Sequence, residues 1–173
     1  DGKEYKCREV ICNVSKRYAY TNLIKIEDKD VNRLENARTL APNGVMVYLG
    51  LNKDCSSLGL KYYHYYQFQN LYSTTAIKNM ANLYHGTIDA VVPNVVNEFA
   101  SPKNTTILVL KTTYFDDAFQ KLRYDNHIDI KEKIANDLIE QFENTFNIDI
   151  KEFIEEIEVI TPLNLVNYTG APN

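Results

Sequence analysis

The side chains able to do metal, redox or acid–base chemistry are few and scattered. Of the three histidines, His64, His85 and His127, none has a cysteine or carboxylate at the helical or hairpin spacing of a tetrahedral metal site, so no metal ligand is expected. The three cysteines, Cys7, Cys12 and Cys55, are odd in number and lack C-x-x-C spacing. That favours free thiols in a reducing compartment, with the cytoplasm as the expected location, over a disulfide framework. Only Lys53 lies close to Cys55 in sequence, too little positive charge to activate a thiolate. No G-x-S-x-G elbow presents a serine nucleophile, and no catalytic residue is assigned. The six glycines, Gly2, Gly44, Gly50, Gly59, Gly86 and Gly170, never fall into G-x-G-x-x-G, the spacing that brings backbone against a pyrophosphate at a helix N-terminus. No cofactor-binding residue is therefore expected within the chain, which alone should be colourless.

One cluster remains: Tyr62-Tyr63-His64-Tyr65-Tyr66-Gln67-Phe68. Alternation sets Tyr62, His64, Tyr66 and Phe68 on one side and Tyr63, Tyr65 and Gln67 on the other, as in an antiparallel strand with amphipathic residues on both faces. Flat rings with a polar tip suit the wall of a pocket for a long planar apolar ligand, which makes Tyr63 and Tyr65 candidate substrate-binding residues. Tyrosine also has high strand propensity and tolerates partial exposure, so the same residues suit an ordinary sheet face.

The elements that must position this cluster are legible from periodicity. Glu4 to Asn13 reads as a strand after the hairpin turn Asp1-Gly2-Lys3. Ser15 can cap a helix over Lys16 to Ile24 whose Ala19, Tyr20, Leu23 and Ile24 share a face, and a second short helix is expected over Lys29 to Arg38. Pro42-Asn43-Gly44 is a turn. Val45 to Leu51 follows as a strand with Val45, Val47, Leu49 and Leu51 on one face, and its second face lacks charge too, which predicts a central place in the sheet. After the polar loop Lys53 to Gly59 and the tyrosine strand, a helix is expected from Thr74 to His85. Ile88 to Val92 and Thr106 to Thr112 read as strands, joined through a turn at Ser101 to Asn104. Asp129, with Glu132 as capping-box partner, opens the longest helix, whose buried stripe is Ile130, Ile134, Leu138 and Phe142, backed by Ala135 and Ile139. A capped turn at Asp149 to Ile154 leads to a last strand with Ile157, Val159 and Thr161 inward, ended by Pro162. The fold class is α+β: a mixed, largely antiparallel sheet of about five to six strands with helices packed on it.

Composition bounds the rest. At 173 residues the chain is the size of one domain, large enough to bury roughly 70% of its unfolded surface. A net charge of −4 gives no basic footprint for nucleic acid. No apolar run approaches the roughly 20 residues that span a bilayer. The triplets at Asn13, Asn104 and Asn167 match glycosylation acceptors, but such matches arise by chance in a chain rich in Asn and Thr.

The two ends carry a resemblance. Thr161-Pro162-Leu163, followed by Tyr168-Thr169-Gly170-Ala171-Pro172-Asn173, resembles the end of the substrate domain in the phytoene dehydrogenase-like flavoproteins, a group that includes carotenoid desaturases, carotenoid isomerases and relatives of retinol saturase. Asp1-Gly2-Lys3, Val10-Ile11-Cys12-Asn13 and Ser15 resemble the start of the same domain. The resemblance implies that residues 1–173 are a single substrate-binding domain excised from a longer FAD-dependent oxidoreductase. Residues 1–13 and 161–173 would then lead to and from the FAD domain, and the lack of an initiator methionine agrees. By the same resemblance the FAD belongs to the parent protein, and the sheet shapes an apolar tunnel for an isoprenoid or carotenoid-like substrate. Tyr168, Thr169 and Gly170 would sit at the junction with the flavin domain, joining Tyr63 and Tyr65 as substrate-binding residues. Expected partners are the apolar substrate, the FAD domain, a peripheral membrane contact of the parent, and other copies of the chain meeting through uncovered faces at Tyr63, Tyr65 and Met46. The alternative from another class is a stand-alone ligand-binding or interaction module that catalyses nothing.

Overall fold

The structure, a computed structural model, describes residues 2–14, 16–25, 29, 33, 43–68, 74–75, 87–114, 127–162 and 164. The chain divides into two compact units, one of Ala41–Pro162 and one of Asp1–Leu40 with Leu163–Asn173.

The first unit is built on a five-stranded sheet in the order β2-β3-β4-β1-β5. Its strands are β1 (Asn43–Leu51), β2 (His64–Gln67), β3 (Ile88–Val91), β4 (Thr106–Tyr114) and β5 (Ile154–Ile160). All four pairings are antiparallel, and the fold is α+β with a largely antiparallel five-stranded sheet, as the sequence predicts. β1 lies between β4 and β5, and its Val45, Val47, Leu49 and Leu51 are all buried, as the alternation predicts. β4 is the other long interior strand. Its run Leu108-Val109-Leu110 is buried throughout, which fits a strand flanked on both edges.

Among the described residues one helix covers the inner face of this sheet. It runs His127–Phe146 and is labelled α2, after a short helix near the N-terminus described below. Ile134, Ala135, Leu138, Ile139 and Phe142 join Val45, Val47, Leu49 and Leu51 of β1, and Leu108 and Leu110 of β4, in one core cluster, with Ile130 and Phe146 packed at its margin. These are positions three and four apart on one helical face. The helix is closed by Asn147, whose φ of 53° is left-handed, a conformation asparagine tolerates better than most residues. Glu143 then reaches past that turn, its Oε1 accepting from the backbone N–H groups of Ile150 and Lys151 at 2.7 Å each. That contact sets the chain up for β5.

β5 departs from expectation. It begins at Ile154, and Ile157 is 50% exposed. Val159 is partly buried and Thr161 fully so. As an edge strand, β5 is partly covered at its two ends, at Ile154 and at Val159–Ile160, and exposed between them, and alternation alone cannot say where along a strand the cover stops.

The second unit is described in part. Lys16–Tyr18 forms α1 and runs directly into a π-helical stretch, Ala19–Ile24, ended by Lys25 at φ 56°. Ala19 is buried and Tyr20 half-buried, but Leu23 and Ile24 are exposed, against the expected common face. No strand forms over Glu4 to Asn13: residues 2–14 are irregular and exposed, with Tyr5, Val10 and Ile11 open to solvent. The sequence has strand character there, but a strand exists only where another takes up its N–H and C=O groups, and none of the described strands does. Most of the helices expected over Lys29–Arg38 and Thr74–His85, the capping residue Ser15 and the segment after Asn164 lie outside the described residues.

Candidate functional site

β2 and the loop before it form a groove of about 580 Å³ with the C-terminal end of α2. The loop is built by short-range bonds. Asp54 Oδ1 accepts from the Ser56 hydroxyl at 2.6 Å and from the Ser57 N–H at 3.0 Å, and the first of these bonds does most to hold its carboxyl well below the usual carboxylate range. Leu60 N–H then bonds Cys55 O at 2.8 Å, a closure that needs Gly59 at φ 78°. The loop is stitched to the strand by Tyr65, whose hydroxyl oxygen accepts from the N–H groups of Lys61 (2.8 Å) and Tyr62 (3.2 Å).

The same tyrosine is a core residue. Its ring is buried edge-on against Phe142 and Phe146, with centroids 5.7 and 5.1 Å away. Two residues on, Gln67 Oε1 accepts from Thr145 Oγ1 at 2.8 Å and Gln141 Nε2 at 3.1 Å, pinning the end of β2 to α2. Of the candidate substrate-binding tyrosines, Tyr65 lines the groove from the core side. Tyr63 is exposed, precedes β2 and is not among the lining residues. Nor do Tyr65 and Met46 share a face. Tyr65 stands in the row Tyr65-Ala90-Leu110-Val47 on the α2 side, whereas Met46 belongs to the row Tyr66-Asp89-Lys111-Met46 on the other. Tyr65 and Met46 therefore look to opposite sides of the sheet. Tyr168, Thr169 and Gly170 lie outside the described residues.

The outer face carries what sequence reasoning passed over. His64 and Tyr66 are two apart on β2, and the Tyr66 hydroxyl is 3.2 Å from His64 Nδ1. Register sets Asp89 of β3 opposite Tyr66, and Lys111 of β4 opposite Asp89. Lys111 Nζ bonds Asp89 Oδ2 at 2.8 Å, and His64 Nε2 lies 3.8 Å from Asp89 Oδ1. That Oδ1 is buried and has no hydrogen-bond partner, the one such side-chain atom among the described residues. The alternation of the tyrosine strand did place His64 and Tyr66 together. The strand register that brings in Asp89 and Lys111, from 20 to 50 positions away, is not visible in one sequence.

The described residues do not fit a flavin dinucleotide. Its pyrophosphate needs glycines that open a helix N-terminus. Gly59 closes a loop that leads to a strand, and Gly44 and Gly50 lie within β1, where an added Cβ would meet Thr112 O at 3.1 Å or Glu156 Cβ at 3.3 Å. Their role is close strand packing. Among the described residues no group of His, Cys, Asp and Glu could hold a metal ion, and no helix is long and apolar enough to cross a membrane. No known protein-family model matches the chain, and no curated protein matches it.

Proposed function

We propose that this chain is the substrate-binding domain of an FAD-dependent oxidoreductase similar to the phytoene dehydrogenases, and that it shapes an apolar tunnel for an isoprenoid or carotenoid-like substrate. The observation that carries the proposal is the division of the chain. The sheet and α2 form one unit over Ala41–Pro162, while the two ends, Asp1–Leu40 and Leu163–Asn173, belong together to another. A domain inserted into a larger one has this organisation, with the excursion beginning and ending at one body. The second boundary falls at Pro162, where the Thr161-Pro162 step ends β5.

In this proposal the flavin of the parent protein does the redox work, and this chain orients the substrate and keeps water out. Tyr65 acts as a wall of the groove, and Tyr168, Thr169 and Gly170 remain the proposed junction with the flavin domain. The parent is the enzyme; the chain alone is not. The free thiols of Cys7, Cys12 and Cys55 support a cytoplasmic setting. A second reading, a binding module that catalyses nothing, is favoured by one fact: the β2 groove is complete within Ala41–Pro162. The coding sequence on either side of this segment decides between the two. A G-x-G-x-x-G opening a helix after an upstream strand, with a glycine-rich continuation beyond Asn173, is expected. Its absence would overturn the flavoprotein assignment and leave the binding module.

A further inference from the structure

We infer that the groove beside β2 is a binding site for a planar, largely apolar molecule bearing an acidic hydroxyl, phenolic or enolic, and that the chain Tyr66–His64–Asp89–Lys111 takes up that hydroxyl's proton. The inference does not rest on the flavoprotein assignment and would stand for either of the functions above.

The direction of each hydrogen bond in the chain follows from its ends. Lys111 can only donate, and it bonds one oxygen of Asp89. The other oxygen is desolvated and lacks a donor, at a cost of about 1–3 kcal/mol. His64 Nε2 is the near donor at 3.8 Å, and a shift of about 1 Å brings it within hydrogen-bond range. The carboxylate therefore favours the tautomer with hydrogen on Nε2, which leaves Nδ1 as an acceptor. The Tyr66 O–H, 3.2 Å away, must then be the donor to Nδ1. Its own oxygen keeps a free lone pair, and Tyr66, 53% exposed, lines the groove.

A ligand hydroxyl that donates to this oxygen meets a base already assembled. Its proton passes to Tyr66 as the Tyr66 proton passes to His64 Nδ1. The ligand becomes an oxyanion, His64 an imidazolium and Tyr66 is unchanged; no oxidant or further reactant is needed. The imidazolium then faces Asp89 as an ion pair, which supplies the missing partner of Oδ1. Lys61 lines the same groove and adds positive charge to it. The apolar body of the ligand has the Tyr62, Tyr65 and Phe146 rings to lie against, with Tyr62 standing edge-on to Tyr65 at 5.7 Å. The ionisable groups around His64 are Tyr63 and Tyr66 beside it, Asp89 on β3 and, through Asp89, Lys111 on β4.

The test uses 4-nitrophenol, whose phenolate absorbs apart from the phenol, titrated with the chain at about one pH unit below the probe's own pKa. Binding with growth of the phenolate band is expected. Tyr66→Phe, which keeps the ring and removes the oxygen, is expected to weaken binding about tenfold and abolish the band, the equivalent of losing one well-placed hydrogen bond. Asp89→Asn should leave probe binding within about threefold but suppress the band, because the imidazolium loses its counter-ion; this split marks Asp89 as a positioning residue. Ile157→Ser on β5 should change neither. Binding without a phenolate band, no binding at millimolar probe, or a Tyr66→Phe variant that behaves as the parent would each overturn the inference. If circular dichroism shows that Asp89→Asn does not fold, the Tyr66→Phe result decides alone.

Discussion

The two edges of the sheet meet water with opposite chemistry. β5, at one edge, is seven residues long and reads Ile-Glu-Glu-Ile-Glu-Val-Ile, with Glu155, Glu156 and Glu158 exposed along it. β2, at the other, is four residues long, has no carboxylate or lysine, and shows solvent His64, Tyr66 and, just beyond it, Phe68. Unpaired strand edges invite pairing with another chain, and like charges block it. β5 is defended in that way, and its pairing with β1 is interrupted besides by an irregularity at Gly50/Leu51. β2 is short, anchored inward by Tyr65 and Gln67, and presents stacked rings: Tyr66 and Phe68 lie nearly parallel, 6.3 Å between centroids. One edge presents a row of carboxylates; the other presents aromatic rings.

The contrast can be broken most sharply at the anchors. Tyr65→Ala removes a buried ring and leaves the Lys61 and Tyr62 N–H groups without their acceptor, so a loss of about 3–5 kcal/mol is expected in urea unfolding. Ile157→Ala on β5, half exposed, is expected to stay within about 0.5 kcal/mol of the parent. Equal losses would mean that both edges are held alike.

A smaller effect belongs to the β1–β5 contact. Gly50→Val would place a branched side chain where even an added Cβ would meet Glu156 Cβ at 3.3 Å, and a cost of about 1–3 kcal/mol is expected from the same unfolding measurement. No loss would show that β5 moves away freely. Replacing Glu155, Glu156 and Glu158 together with threonine should shift stability by less than about 1 kcal/mol yet cause self-association visible by light scattering. A variant that stays monomeric would show that charge is not what guards this edge.

The smallest effect is electrostatic. Asp54 has its folded-state pKa depressed by the Ser56 hydroxyl and the Ser57 contacts. The stability it contributes is therefore fully present above its unfolded value, about 3.9, and is lost as pH falls through the lower folded value. Asp54→Asn should remove that part of the acid sensitivity, so the stability difference between parent and variant should narrow below about pH 4. A constant difference down to strong acid would contradict the loop's bonding.

How much of this was legible in the sequence varies with the kind of information needed. β1, β4 and the α2 stripe were readable because burial there follows periodicity, and periodicity is local. The covered stretch of β5 and the fate of Glu4 to Asn13 depend on whether a neighbour is present, which no local pattern records. The tyrosine strand lies between the two cases. Its alternation was plain, but the role of Tyr65 as anchor depends on Phe142 and Phe146 beneath it, and the His64–Asp89–Lys111 cluster depends on register across three strands.

The proposal that this chain serves a flavoenzyme is tested most directly by the visible spectrum of the parent protein, purified with the sequence that flanks this segment. Bound FAD that survives gel filtration, and that is bleached without oxygen by an isoprenoid polyene precursor, is the expected result. A full-length protein that is colourless and takes up no added FAD would contradict it.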